Sequence, residues 1–390
     1  LIYNNIEIGE KGFSQMKYLL FISLFSTALV HAQTNQLEFE DWNMPELITS
    51  ARGLAMGNAF ISKVDDEYAA FYNPAGLGTR RKSKISIINF HIESNKNILS
   101  RSNDTQFLDY FDSEGMRQLV DANKNTLVHN RFSFFPNVTM RFLTLGYFIS
   151  KQYRAYQGSN PGDKFLFSDR LDYGPILSTN LSFWGGIFKL GASVAYVNRK
   201  EFLNDPLTGE HPDGSTGDLI VTTPMDQQIN EDTDYFEGAA TIITVGGKLT
   251  LPTAWLPTFS GVIRNSSAQK FTRARGLGAP NPIEQTVDVG FSFTPITGKG
   301  SSLHFEFNWK DVTDKYGKIF EKRAMAGMEW NINRRLFLRY GYGDGYGSGG
   351  IGYQARTYLF DLTTYATDRD PDRFRISEER RWILSISSGF

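Results

Sequence analysis

Cysteine is absent from the 390 residues, which removes disulfides, thiolate metal sites and thiol catalysis together. No stretch of the later chain approaches the roughly 18 consecutive apolar residues of a membrane-spanning helix. An excess of either charge is also missing: the formal net charge is -1, which argues against a nucleic-acid binder working through broad positive potential. What remains favours strands and tight turns, with 14% aromatic residues and 36 glycines. The mean hydropathy of -0.33 suits a soluble protein, but equally a barrel whose strands are each only half apolar.

One apolar run stands near the start. Met16-Lys17 opens it, Tyr18 to Val30 is almost wholly apolar or hydroxyl-bearing, and Val30-His31-Ala32 places small residues where a signal peptidase reads. This predicts a secretory signal peptide with Gln33 as the mature N-terminus; residues 1–15, ahead of Met16, read as an overlong gene start or vestigial leader.

Alternating segments then predict about fourteen strands, at 83–92, 131–136, 139–154, 170–183, 187–199, 236–250, 258–265, 284–294, 301–310, 323–330, 335–342, 348–353, 357–366 and 381–390. The connectors alternate between long (93–130, 155–169, 200–235, 266–283, 311–322) and short, the latter including Pro136-Asn137 and Trp184-Gly185-Gly186. A transmembrane barrel has this asymmetry between its two rims. Ser301 to Lys310 is the clearest strand, with Leu303, Phe305, Phe307 and Trp309 on one face against His304, Glu306, Asn308 and Lys310. Facing Lys310 to lipid near the midplane would cost ~2–4 kcal/mol, so the polar face is predicted to point inward. Trp382, Leu384, Ile386 and the terminal Phe390 share the lipid face of the last strand, which reads as an assembly signal and closes the barrel against the strand starting near Ser83.

Ahead of the strands lie Ser50-Ala51-Arg52-Gly53-Leu54-Ala55-Met56-Gly57-Asn58-Ala59-Phe60 and, further on, Val64-Asp65-Asp66-Glu67-Tyr68, then Asn73-Pro74-Ala75-Gly76-Leu77. Glycines allow close backbone approach, the aspartates suit a turn or helix start, and Pro74 fixes a bend that Asn73 stabilises. These features describe a compact plug. The segment closely resembles the N-terminal hatch of the FadL-like outer membrane proteins, a superfamily of long-chain fatty acid and aromatic hydrocarbon transporters and PorV-type relatives. The resemblance extends to Gly350-Ile351-Gly352-Tyr353 and the strand at Leu359 to Tyr365. It implies an all-β, transmembrane antiparallel β-barrel of about 14 strands with the hatch in its lumen, and, in the transporter branch, apolar substrates leaving sideways through the wall. The domain plan is leader and signal peptide at 1–32, hatch at 33–82 and barrel at 83–390.

Candidate hatch or gate residues are Arg52, Gly53, Gly57, Asp65, Asp66, Asn73, Pro74 and Gly76, with Arg52 expected to pair with Asp65, Asp66 or a wall residue such as Glu306. The same residues would serve equally to fasten the plug. Arg323, Arg334, Arg335 and Arg339 against Glu321 and Glu329 would form a charged lining or rim. A helix predicted at Asn103–Lys124, capped by Asp104, carries Phe107, Phe111, Met116 and Leu119 as a ligand or partner surface, or as a cover for the barrel mouth. The 201–236 connector has nine acidic residues and no Lys or Arg; calcium at Asp232 and Asp234 is conceivable, but the spacing matches no compact oxygen-ligand loop, which favours a solvated acidic loop.

No pattern places a serine and an acid with His304 on one face at a plausible depth, so catalysis is disfavoured, and no metal or cofactor is called for. The leading expectation is passive transport of hydrophobic, fatty-acid-like small molecules across a Gram-negative-type outer membrane. The alternative is a non-transporting barrel that anchors or shuttles a partner protein there; a small-solute porin is disfavoured by the plug. Expected partners are outer membrane lipids, the barrel assembly machinery and a hydrophobic ligand or detergent within the barrel, with a monomeric chain and no nucleic acid.

Overall fold

Alternation of apolar and polar residues is realised as one closed antiparallel sheet in the computed structural model, which describes residues 43, 46–80, 83–99, 111–159, 164–204, 212, 219–298, 300–370 and 373–389. The predicted leader and signal peptide, Phe107 and Phe390 lie outside the described residues. Fourteen strands form the wall. The first, β1, comprises Lys84–Ser86 and Asn89–Asn95, and β2 comprises Val128–Phe134 and Asn137–Thr139. Then come β3 (Leu143–Gln157), β4 (Phe165–Phe183), β5 (Phe188–Leu203), β6 (Phe236–Thr250) and β7 (Thr258–Arg264). The remainder are β8 (Thr286–Phe293), β9 (Ser301–Trp309), β10 (Ala324–Ile332), β11 (Leu336–Gly343), β12 (Tyr346–Gln354), β13 (Tyr358–Asp368) and β14 (Glu378–Ser388). Pairing of β14 with β1, from Arg381 opposite Asn95 to Ser387 opposite Asn89, closes the wall and leaves no open edge.

Side-chain direction follows the predicted period. His304, Glu306, Asn308 and Lys310 are buried in the lumen while Phe307 is exposed outside. On β14, Trp382 and Leu384 face outward with the half-buried Ile386, and Arg381, Ile383, Ser385 and Ser387 face inward. The wall thus presents hydrocarbon to its surroundings at about half of its positions.

Two expectations are corrected. Pro136-Asn137 is not a turn: β2 runs past Pro136 with unchanged register against β3, Phe134 opposite Ile149 and Asn137 opposite Gly146, and the chain reverses at 140–142. Proline lacks a donor, but its fixed φ fits an extended strand, so it interrupts one ladder bond without ending the strand. The helix predicted at 103–124 is described only over Ser113–Asp121, and its cap is Asp112, whose carboxylate accepts from the Gly115 amide at 2.6 Å; Asp104 lies outside the described residues. A short strand at Thr272–Gly276, not expected from the sequence, pairs with β6 and extends the wall outward there.

Candidate functional site

Residues 46–80 fill the lumen as a hatch. Ser50 caps the helix Ala51–Ala55 by accepting from the Gly53 amide, and Tyr72 ties both ends of the segment by donating to the Asn58 side-chain oxygen at 2.9 Å and accepting from the Ser50 amide at 3.2 Å. Asn73 explains its own position: its side-chain oxygen accepts from the Ala75 amide, its nitrogen donates to the Ile61 carbonyl, and Pro74 then opens the 3-10 helix Pro74–Thr79. Gly76 lies so close to the Val64 carbonyl that an added Cβ would stand 2.3 Å from it.

The wall matches the hatch glycine for glycine. A Cβ on Gly57 would lie 2.4 Å from the Tyr342 carbonyl oxygen of β11, and one on Gly341 would lie 2.1 Å from the Gly57 nitrogen. Gly191 on β5 and Gly327 on β10 likewise meet the backbone at Pro74-Ala75 and Met56. Gly53 faces the Phe60 ring within the hatch itself. These inward wall glycines are docking sites for backbone against backbone. Sequence reasoning missed them, although glycine at inward positions of long strands was a readable signal.

Ion pairs fasten the charged side of the hatch. Arg52 meets Glu329 of β10 twice, Nε to Oε2 at 2.6 Å and Nη2 to Oε1 at 2.8 Å, and Asp65 and Asp66 through Nη1 at 2.7 and 3.0 Å. Glu329 also receives Arg339 at 2.9 Å, which reaches Asp361 of β13 at 2.5 Å. The wall partner of Arg52 is therefore Glu329; Glu306 instead accepts the backbone N–H groups of Ser62 and Lys63, at 2.6 and 2.8 Å. Arg339 and Glu329 form the lining expected of them, whereas Arg334 and Arg335 lie exposed at a turn and Arg323 pairs with Asp314 at 3.1 Å. Glu67 ties Lys84 of β1 to the hatch at 3.0 Å.

Burial pushes both hatch aspartates up, and their neighbours then separate them. For Asp65, Arg52 and Lys63 outweigh burial and hold the carboxyl at about 2. For Asp66, burial is aided by the adjacent negative charges of Glu67 and Asp65, and the carboxyl is pushed up to about 6 despite Arg52. A charged vestibule of about 690 Å³ opens beside this network, lined by Arg52, Lys63, Asp65, Arg80, Lys84 and Arg356 among others.

The opposite side of the lumen is apolar at mid-height. Phe135 of β2, Phe148 of β3, Ile176 of β4, Ala195 and Val197 of β5, and Ala240 and Ile242 of β6 point inward and join Ile48, Ala70 and Phe71 of the hatch in one cluster. Phe71 stands edge-on to both Phe135 and Phe148, with ring centroids 5.1 and 5.7 Å apart. Charged residues bound this band toward the long-loop rim, where Asp172 takes two bonds from Arg199 at 2.6 and 3.0 Å. A pocket of about 70 Å³ lies between hatch and band, lined by Ile48, Phe71, Ile176 and Ile242, and by Glu46, Arg264, Glu284 and Lys310 among others.

Two local irregularities of backbone pairing lie behind this band. Between β1 and β2 the register slips by one residue, from Phe90 opposite Phe134 to Ser86 opposite Asn137, which leaves Ile87 and Ile88 as a bulge with both side chains outside. Between β4 and β5 the ladder skips Gly174 and Pro175, resuming with Ile176 opposite Ala195.

No family model matches the chain, and no curated protein matches it. Among solved structures, a deltaS2S3 mutant of the TodX monoaromatic hydrocarbon channel is 11% identical, with a TM-score of 0.50 over 87% of this chain and 98% of the other. The chain has the FadL-like barrel fold. The toluene transporter TbuX of Ralstonia pickettii (12% identity, TM-score 0.49) and a FadL homologue of Pseudomonas aeruginosa (11%, 0.42) each align with 88% of this chain and 99% of their own.

The remaining predicted residues fall elsewhere. Met116 and Leu119 turn inward and are buried with Ile98, Phe165, Phe167 and Phe202, while Phe111 is half-buried. Asp234 serves its own turn by accepting from the Asn230 amide at 2.6 Å, and Asp232 is exposed. Among the described residues no set of three or more His, Asp or Glu is placed to hold a metal ion. The histidines join polar networks: Glu93 receives His129 at 2.8 Å and Tyr365 at 2.6 Å, and His304 lies 2.7 Å from Thr294 and 3.1 Å from Glu306. That Thr-His-Glu run was not foreseen; its carboxylate is already engaged by the hatch backbone.

Proposed function

We propose that the barrel sits in an outer membrane and passes hydrophobic small molecules from the long-loop side into the bilayer, with the hatch as its closure. The observation carrying this reading is the coincidence of the apolar band with two local irregularities of the wall, the Ile87-Ile88 bulge and the gap at Gly174-Pro175. An apolar solute gains ~0.8 kcal/mol per methylene on leaving water, so a band of Phe135, Phe148 and Ile176 beside a bulged strand offers it a downhill route that a charged pore does not. The transport roles of the hydrocarbon channel and toluene transporter named above agree with this direction.

The pocket size supports reading this state as closed. A dry cavity that binds benzene measures ~150 Å³, about twice the 70 Å³ between hatch and band. The arrangement described is thus closed, and passage requires Phe71 and its neighbours to move. No catalytic step enters this reading.

Photolabelling tests it. A small alkyl or aryl diazirine added to the purified barrel is expected to mark Phe135, Phe148 and Phe71, competed by unlabelled hydrocarbon. Labelling confined to outward residues such as Leu145 and Leu177 would reject the route and favour the partner-anchoring role.

A further inference from the structure

The rim that carries the short turns is basic, without a compensating acid. Its turns at 140–142, 184–187, 251–257, 333–335 and 355–357 contain Arg141, Arg334, Arg335 and Arg356 and no Asp or Glu. The opposite rim mixes both signs and carries the acidic 201–236 connector.

These charges stand at the ends of the strands. Arg141, Arg334, Arg335 and Arg356 are exposed, and none is seen in an ion pair with the described residues. Each sits at the end of a strand whose outward residues are apolar or aromatic: Trp330 before Arg334, and Tyr358 and Phe360 after Arg356. Arg334 holds a left-handed backbone, φ 58°, where glycine would be unstrained, so the turn keeps a long cationic side chain at a place that disfavours one. On the neighbouring arc the same rim shows Phe142, Trp184 (75% exposed) and Trp255, aromatic tips suited to a membrane interface.

We propose that this rim binds anionic phospholipid headgroups of the leaflet it faces, with Arg334, Arg335 and Arg356 as the principal contacts. A lipid fits better than a protein because Arg141, Arg334 and Arg335 stand exposed beside outward aromatic residues of the wall, with Arg356 at the edge of the charged vestibule. Guanidinium groups suit phosphate, and several Lys or Arg at a membrane surface act additively. The proposal rests on the membrane reading above. It concerns a different surface from the apolar band.

The test uses the full-length barrel reconstituted in vesicles of equimolar phosphatidylglycerol and phosphatidylcholine, followed by mild extraction and native mass spectrometry. Wild type is expected to retain phosphatidylglycerol selectively, and the R334Q/R335Q/R356Q variant to lose that selectivity, roughly fivefold per arginine at low salt. R373Q, on the opposite rim, is expected to retain it, and a heat-modifiable gel shift certifies the fold of each variant. Equal retention of both lipids by wild type, or undiminished selectivity in the triple variant, would overturn the proposal. So would an acidic protein crosslinking at position 356 in cells while the lipid preference is absent. Failure of wild type to insert into vesicles would instead strike the membrane reading.

Discussion

Arg52 in the hatch and Glu329 in β10, 277 residues apart, are joined by two parallel bonds of 2.6 and 2.8 Å. That fork is the strongest single tie between plug and wall, because both oxygens of a buried carboxylate are met by one planar guanidinium. The first prediction concerns it. R52A leaves Glu329, Asp65 and Asp66 short of a cation, and breaking such a buried network costs on the order of 3 kcal/mol. Hydrogen exchange over 46–80 should accelerate while the strands stay protected, and R52K should recover only part of the loss.

The docked hatch should also respond to pH, in a direction set by Asp66. Its docked pKa of about 6 exceeds the ordinary 3.8, so docking takes up a proton: the stabilisation is full below about 3.8 and is lost as pH rises through 6. Asp65, held at about 2, works oppositely, with stabilisation present above 3.8 and lost as pH falls toward 2. Hatch protection should therefore be greater at pH 5 than at pH 7. D66N should abolish that difference, and an unchanged slope would assign it to another group.

Glycine substitutions separate wall from hatch. G341A puts a methyl carbon into the Gly57 backbone, whereas G347A meets nothing closer than 3.5 Å. Both barrels are expected to fold by heat-modifiable gel shift. Only G341A should expose the hatch to limited proteolysis.

Truncating Phe71 enlarges the closed pocket. F71A removes a ring packed between Phe135 and Phe148, at a cost of ~3–5 kcal/mol for a fully collapsed-out phenyl. Binding of a small aromatic probe, followed by its fluorescence, should tighten in F71A relative to wild type. Weaker binding would show that Phe71 belongs to the ligand site itself.

The strands were legible because a period of two, once fixed by residues such as Phe305 and Phe307 against Glu306 and Asn308, admits one assignment of inside and outside. The alternation of connectors followed from that, whereas several strand ends lie elsewhere, β4 starting at Phe165 where 170 was expected. Pro136 misled because its missing donor reads as a break when only its own chain is in view, while its carbonyl still receives Tyr147 across the sheet at 3.1 Å. The hatch motif was visible, but its wall partner was not. Glu306 and Glu329 are both inward carboxylates, and which of them lies level with Arg52 depends on the stagger of strands around the closed barrel. Met116 and Leu119 were read correctly as one helical face; whether that face meets solvent or Phe165 and Phe167 is decided by the loops beneath it.

The central claim, that hydrophobic small molecules cross by way of the apolar band, is tested most directly by uptake. A radiolabelled hydrocarbon or alkyl acid is supplied to cells lacking the gene, carrying either wild type or an empty vector, at a concentration where the outer membrane limits accumulation. Wild type is predicted to raise the initial rate several-fold, with F71A at least equal to it. Identical rates with and without the barrel, for alkyl and aryl probes alike, would contradict the account.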